Sequence, residues 1–257
     1  MSKRRKFVIA SFLLALGLLS TQFVTVEFVY RYLAILGLFG VGYLISAWAL
    51  FEDLKGVEWL VLVPMPGLFA AGVALFYFLL PEALVSRLVI FLVFGLGAYA
   101  LYLTSNIYSV AAIRTIQLLR AAHAVGFLLT LVTSLLFYNS IFSFKFPFYI
   151  NALAVFGVSL PLMINGLWSI KLEQTLTKQL LLYGLVCSLV LSEIAVAISF
   201  WPVTVWIASL FLVAGVYVML GLLQHHLQER LFKKTFRDYV SVGVFVLLVT
   251  LVVTKWR

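Results

Sequence analysis

Charged residues are scarce in this chain. They make up 11% of its 257 positions, and only nine of them are acidic, whereas 65% of the positions are hydrophobic. A soluble domain cannot bury that much apolar surface, so the composition argues against an ordinary soluble protein. The single cysteine, Cys187, excludes a disulfide within the chain and gives no evidence about the redox compartment.

Long polar segments and the common catalytic motifs are missing as well. The longest polar break, from Gln224 to Tyr239, is about as long as one helix and too short for a catalytic module outside the membrane. The sequence has no H-E-x-x-H zinc motif, no G-x-S-x-G elbow, no phosphate-binding loop and no D-x-x-D acidic pair. These absences disfavour glycosyltransferases, prenyltransferases and nucleotide-driven pumps. We expect a single integral membrane domain over residues 1–257, without a cofactor.

Apolar runs dominate what the sequence does contain. The mean hydropathy is +1.16, and apolar stretches follow one another from Phe7 to Thr254 with short polar breaks between them. About 20 apolar residues suffice for a helix to cross a bilayer. The runs therefore predict an all-α, polytopic transmembrane helical bundle of about nine spans. The predicted spans are 7–24, 32–51, 57–80, 86–103, 119–142, 147–170, 179–200, 203–223 and 239–255.

The first predicted span follows a strongly basic start. Residues 3–6 are all Lys or Arg and precede the apolar run Phe7–Leu19, which is the layout of a signal peptide. No small-x-small cleavage site follows the run, so we expect an uncleaved first helix; cleavage would leave eight spans. In either case the residues after about Thr25 begin on the outside.

The basic residues are distributed unevenly between the two sides of the predicted bundle. With the N-terminus inside, five of the 18 Lys and Arg residues lie in outside segments and the other 13 lie inside. The five are Arg31, Arg87, Lys145, Lys255 and Arg257. This split obeys the positive-inside rule and predicts a cytoplasmic N-terminus and an outside C-terminus. Because the net charge of +9 collects at the ends of apolar runs, anionic membrane lipid explains it better than nucleic acid, which we do not expect as a partner.

One polar pattern points to phosphate. Arg114, Gln117, Arg120 and His123 recur at every third position, so on a helix entering the fifth span they would form a slowly winding stripe roughly 13 Å long. Guanidinium groups are planar forks that suit phosphate, and the stripe predicts a pocket for an anionic lipid headgroup. The alternative is that the arginine side chains extend along the helix and place their charges in water at the membrane surface, while His123 forms a hydrogen bond with a neighbouring residue.

One acid falls deep in a predicted span. Glu193 lies in the run Val186–Ser199, close to Ser188 and Ser192. An ionisable residue inside a membrane is a functional candidate by default. We expect Glu193 to be uncharged and buried within the bundle rather than facing lipid. It would serve either as a proton or cation site or as a hydrogen-bonded packing residue.

The last polar break is basic and carries a weak metal pattern. His225 and Glu229 are four residues apart and could share a metal on a helix. Two ligands at a wet interface make a weak site, and no complementary His or Cys cluster exists, so we predict no metal. An interfacial helix whose basic residues meet anionic lipid is the preferred interpretation of residues 224–234.

The segment Ala111–Phe127, AAIRTIQLLRAAHAVGF, resembles a segment of uncharacterised multi-pass membrane proteins of small-genome bacteria. The resemblance carries no activity with it. It implies that the protein resides in a bacterial cytoplasmic membrane.

These observations favour a non-enzymatic lipid- or envelope-associated subunit that holds an anionic headgroup at Arg114 and Arg120. Other membrane subunits are further expected partners. The alternative is a small secondary transporter or flippase that uses Glu193 and helix breaks at Pro64–Gly67 and Pro161 in the third and sixth spans. The competing interpretation of these prolines is two kinks that neighbouring helices accommodate. An intramembrane enzyme acting on a lipid-linked substrate is the third hypothesis.

Overall fold

The computed structural model describes residues 2–22, 28–80, 83–112 and 117–254, and every regular element within these ranges is an α-helix. The predicted all-α helical bundle is therefore confirmed. The helices are α1 Lys3–Thr21, α2 Phe28–Leu50, α3 Glu58–Val61, α4 Pro64–Tyr77, α5 Leu84–Ala111, α6 Leu119–Ser143, α7 Phe148–Lys171, α8 Lys178–Ser199, α9 Val205–Leu227 and α10 Lys233–Val253.

Eight helical segments are long and apolar enough to cross a membrane, which is compatible with a multi-pass membrane protein. They coincide with the second to ninth predicted spans, and α3 and α4 together form one of them, Glu58–Tyr77. Helix α1 is not among the eight, because its first residues are basic and only Phe7 to Thr21 remain as its apolar part. The first predicted span thus forms a helix, and its crossing of the membrane stays a prediction.

Proline acts differently in the two predicted breaks. The third span is broken as predicted: α3 ends at Val61 and α4 begins at Pro64, since a proline fits the first turn of a helix, where no amide proton is needed. The predicted break at Pro161 is wrong. Helix α7 runs without interruption from Phe148 to Lys171 with Pro161 inside it, because neighbouring helices can support a proline within a membrane helix.

The chain divides into two compact units. Unit 1 comprises Met1–Leu129 with Leu172–Thr175, and unit 2 comprises Thr130–Lys171 with Leu176–Arg257. The boundary falls within α6. In unit 1, α1 packs against α5 and α2, and α2 packs against α4. In unit 2, α7 packs against α8 and α9, while α10 packs chiefly on α9.

Small residues let the helices of unit 1 approach closely. A Cβ added at Gly42 on α2 would lie 2.9 Å from the Cα of Gly67 on α4, so this crossing requires glycine. Glycine at helix contacts is the usual packing device in membranes, where close van der Waals contact replaces the hydrophobic effect. Helix α1 joins the same core through one face, on which Phe7, Leu14 and Leu18 are buried.

Unit 2 is held by small residues and hydroxyl groups. A Cβ at Gly184 on α8 would lie 2.8 Å from Ile164 on α7, and Ser192 Oγ donates to the carbonyl oxygen of Ala152 on α7 at 2.9 Å. By contrast, α10 is exposed along most of its length, and Val252 is 83% exposed. Apolar surface of this extent is stable only when it is covered, and lipid covers it in a membrane protein.

Candidate functional site

Polar side chains of unit 1 collect where three segments meet: the start of α1, the turn between α2 and α3, and the end of α5. We call residues 51–58 the 51–58 turn. Lys3 Nζ lies 2.5 Å from Asp53 Oδ1, and Asn106 Nδ2 on α5 donates to Asp53 Oδ2 at 2.6 Å. Asp53 therefore connects the start of α1 to the end of α5.

A second ion pair joins Lys6 on α1 to Glu52. The hydrogen bond and the positive charge of Lys6 hold the pKa of the Glu52 carboxyl below its usual value. Glu52 is exposed, and exposed pairs of this kind contribute little stability. The pair shows instead that the start of α1 and the 51–58 turn lie at the same end of unit 1.

Glu58 is an acid that lies buried in unit 1. Its side chain is 3% exposed, and its Oε2 accepts a hydrogen bond from the backbone amide of Lys55 at 3.2 Å. Ser109 Oγ lies 2.6 Å from this same Oε2 and 2.6 Å from the carbonyl oxygen of Asp53. Ser109 has one proton to donate. Ser109 is the donor in both contacts, so its one proton is shared between Glu58 and Asp53 unless Glu58 is itself protonated and donates to Ser109.

The predicted stripe at residues 114–123 does not lie on one helix. Helix α5 ends at Ala111 and α6 begins at Leu119, and Gln117 lies in a turn before α6. Arg114 lies outside the described residues. Tyr108 Oη donates to the carbonyl oxygen of Ala122 at 2.9 Å, whereas 14 residues of continuous helix would separate the two by about 21 Å. The continuous helix through this segment is therefore wrong, because the chain turns here.

The members of the stripe that the structure describes separate into two environments. Gln117 and Arg120 are exposed at the start of α6. His123 is half-buried, and its ring centroid lies 5.7 Å from that of Tyr108. Gly126, one turn further along α6, leaves room for the Tyr108 hydroxyl, with which a Cβ would collide. Arg120 is thus exposed about one turn before His123, which packs against Tyr108. Its binding of a headgroup stays a prediction.

Glu193 does not lie where we expected it. Its side chain is exposed on α8, on the face opposite Leu191 and Ala195, which are fully buried. Burial within the bundle is therefore wrong. The neighbouring hydroxyls do not serve Glu193 either, because Ser188 donates to the carbonyl of Gly184 and Ser192 donates to α7.

The weak metal pattern does not form. Helix α9 ends at Leu227, and Glu229 has a positive φ of 57°, so Glu229 does not share a helix face with His225. His225 Nδ1 lies 2.9 Å from the carbonyl oxygen of Gly221. Among the described residues, no group of three or more His, Cys, Asp and Glu side chains is placed to hold a metal ion.

The cluster around Glu58 was not identified from the sequence. The sequence does contain a signal. Three acids, Glu52, Asp53 and Glu58, fall in one short polar break of a chain with only nine acids, and the basic residues 3–6 precede the first apolar run. Asn106 and Ser109, near the end of α5, supply the hydrogen bonds from that helix to the 51–58 turn.

Comparison with known proteins gives a family without an assigned activity. Residues 13–253 match the model of a family described as "Protein of unknown function (DUF5656)". No curated protein and no solved structure matches the chain. The expected relationship to uncharacterised proteins is confirmed, while the bacterial origin of the relatives stays a prediction. Because the match covers nearly the whole chain, the protein belongs to the DUF5656 family.

Proposed function

We propose that this protein is a multi-pass membrane protein that binds anionic phospholipid at its basic, cytoplasmic side and has no catalytic role. The observation that carries the proposal is the exposure of basic side chains at the ends of membrane-length helices. Arg120 at the start of α6, Lys178 at the start of α8 and Lys233 at the start of α10 are all exposed. Each basic residue near an anionic surface contributes about 1 kcal/mol of attraction.

Contacts within unit 1 support the proposed sidedness. The start of α1, the 51–58 turn and the end of α5 bond to one another, as expected for three segments on one side of the membrane. The segment Leu172–Thr175 joins them: Gly56 has a φ of 52°, and a Cβ there would lie 3.0 Å from the carbonyl oxygen of Gln174. We assign this side to the cytoplasm of a bacterial cell from the excess of basic residues.

The alternatives have less support. The transporter hypothesis relied on Glu193 within the bundle and on a broken sixth span, whereas Glu193 is exposed and α7 is continuous. An intramembrane enzyme would need a reactive group at an accessible site. Glu58, which is buried in unit 1, instead bonds to Ser109 and to the backbone of its own turn.

The test is the double substitution Arg114→Gln with Arg120→Gln, which keeps polarity and removes charge and fork geometry. The amount of anionic lipid that remains bound after mild detergent extraction is measured by native mass spectrometry. We expect a clear decrease, with unchanged insertion into the membrane. Lys145→Gln, which removes one exposed basic residue from the predicted outer side, is the matched control. An unchanged lipid content in the double variant would mean that the two arginines place their charges in water at the membrane surface and do not bind a headgroup.

A further inference from the structure

Unit 2 contains an apolar groove between α8, α9 and α10. Its volume is about 350 Å³, and its lining is almost entirely apolar. Val190 and Ile194 line it from α8, Phe211 and Ala214 from α9, and Val244 and Leu247 from α10. Because α10 packs chiefly on α9, the groove is open along one side. An apolar, open groove of this kind suits a hydrocarbon chain and offers nothing to a polar ligand.

The cytoplasmic end of α10 is fixed against α9 by aromatic contacts. The ring centroid of Tyr239 lies 5.0 Å from that of Tyr217 and 5.5 Å from that of His225. Tyr239 also packs directly on Gly221, where a Cβ would collide with its ring. The groove wall that α10 provides is thus held in place next to the basic start of the helix.

Basic side chains stand on the same face of α10 as the groove lining. Lys233, Arg237, Val240, Val244 and Leu247 follow one another at steps of four, three, four and three residues, which places them along one helix face. Val240, Val244 and Leu247 line the groove, and Lys233 and Arg237 are exposed beyond its end. Asp238 is also exposed, but it follows Arg237 directly and lies about 100° away around the helix.

The dimensions agree with one leaflet of a bilayer. Arg237 and Leu247 are ten residues apart, which corresponds to about 15 Å along a helix. Half of a hydrocarbon core of about 30 Å is the depth that one acyl chain spans. Backbone amides at the start of α10 add a further attraction for a phosphate group.

We propose that the groove and the basic start of α10 form one binding site for a single anionic phospholipid. One acyl chain lies in the groove between α8, α9 and α10, and the phosphate contacts Lys233 and Arg237. The inference rests on the proposed function in requiring that the protein is embedded in a bilayer. It names a site in unit 2 that is separate from Arg114 and Arg120.

The experiment compares phosphatidylglycerol with phosphatidylcholine of the same acyl chains, added to the purified full chain in mild detergent and counted by native mass spectrometry. The wild type should bind phosphatidylglycerol in preference to phosphatidylcholine, and the Arg114→Gln with Arg120→Gln variant, which lacks the other proposed site, should retain one phosphatidylglycerol. Lys233→Gln with Arg237→Gln should lower the affinity for phosphatidylglycerol about 25-fold, since each removed charge accounts for about fivefold. Lys145→Gln with Lys171→Gln, two exposed basic residues elsewhere in unit 2, is the matched control and should bind as the wild type does.

Groove variants test the acyl chain. Ala214→Phe fills the groove from α9, and Val244→Phe fills it from α10 at a position that is already exposed, so its folding is not at risk. Both should weaken the binding of the two lipids alike. Ala197→Phe, on an exposed position of α8 that is not among the groove residues, should not.

Four outcomes would overturn the inference. The first is unchanged lipid binding in both groove variants, and the second is an unchanged preference for phosphatidylglycerol in the α10 charge variant. The third is that the wild-type protein binds inorganic phosphate, without lipid, as well as it binds phosphatidylglycerol. The fourth is that the variants change the fraction of dimer and leave lipid binding unchanged. The last would mean that a second copy of the chain occupies the groove. Including Arg114→Gln with Arg120→Gln in the same series separates a failure of this site from a failure of the proposed function.

Discussion

Ser109 should be one of the most sensitive small residues of unit 1. Its hydroxyl oxygen lies 2.6 Å from both Glu58 Oε2 and the carbonyl oxygen of Asp53, and Glu58 is buried. Removing a hydrogen-bond partner from a buried polar group costs about 1–3 kcal/mol. Ser109→Ala should therefore lower the free energy of unfolding by that amount, measured by thermal unfolding in detergent with circular dichroism.

Ser188→Ala is the matched control for this prediction. Ser188 is as deeply buried as Ser109, but it donates only to the carbonyl of Gly184 one turn back on its own helix. Such bonds support a helix weakly or not at all, so the control should change the free energy of unfolding by less than about 1 kcal/mol. A Ser109→Ala variant that is no less stable than Ser188→Ala would refute the role assigned to Ser109.

Glu58→Gln tests the protonation of the buried acid. The Nε2 amide of Gln can donate to Ser109 as a protonated Glu58 does, although it cannot accept from the Lys55 backbone amide. Lys55 is exposed, so water can replace that acceptor. If Glu58 is protonated in the folded protein, this substitution should change the free energy of unfolding by less than about 1 kcal/mol, and Ser109→Ala should remain as costly in the Gln background. A large loss of stability in Glu58→Gln would contradict the arrangement in which Glu58 donates to Ser109.

Three further predictions concern other parts of the chain. Gly126→Ala should destabilise the protein by about 1–3 kcal/mol in thermal unfolding, because the added Cβ collides with the Tyr108 hydroxyl. Adding Tyr108→Phe should restore part of the lost stability, and the absence of any restoration would contradict the clash. Because the Glu193 side chain is exposed, it should react with a carbodiimide supplied from the lipid phase, and the Glu193→Leu variant should fold normally. A Glu193 that does not react, together with a Glu193→Leu variant that is less stable than the wild type, would place the side chain inside the bundle. A reporter fused to the C-terminus should be active only outside the cytoplasm, and activity only in the cytoplasm would overturn the nine-span topology.

Hydropathy was sufficient to locate the membrane-length helices, because a span must be apolar over about 20 residues whatever it packs against. Helix ends were less predictable. The fourth predicted span stopped at residue 103, since polar residues follow, whereas α5 continues to Ala111. Thr104 and Ser109 are buried within unit 1, and Ser109 bonds to the 51–58 turn. A polar residue therefore does not mark a helix end when another segment satisfies its hydrogen bonds.

The rotation of a helix about its axis could not be obtained from the sequence. The apolar residues of helix α8 are spread around its axis, so no amphipathic pattern indicates which face packs against α7. Small residues decide it: Gly184 and Ser188 face inward, and Glu193 consequently faces outward. The arginine stripe failed for a related reason, since spacing of three residues has meaning only on a continuous helix.

The lipid composition that co-purifies with the wild-type protein tests the central claim most directly. The protein is reconstituted into vesicles of equal phosphatidylglycerol and phosphatidylcholine content, extracted in mild detergent, and its retained lipids are quantified by class. The exposed basic side chains at the helix starts predict an enrichment of phosphatidylglycerol over the vesicle composition. Retained lipid with the same composition as the vesicles would contradict the proposal that this protein binds anionic phospholipid.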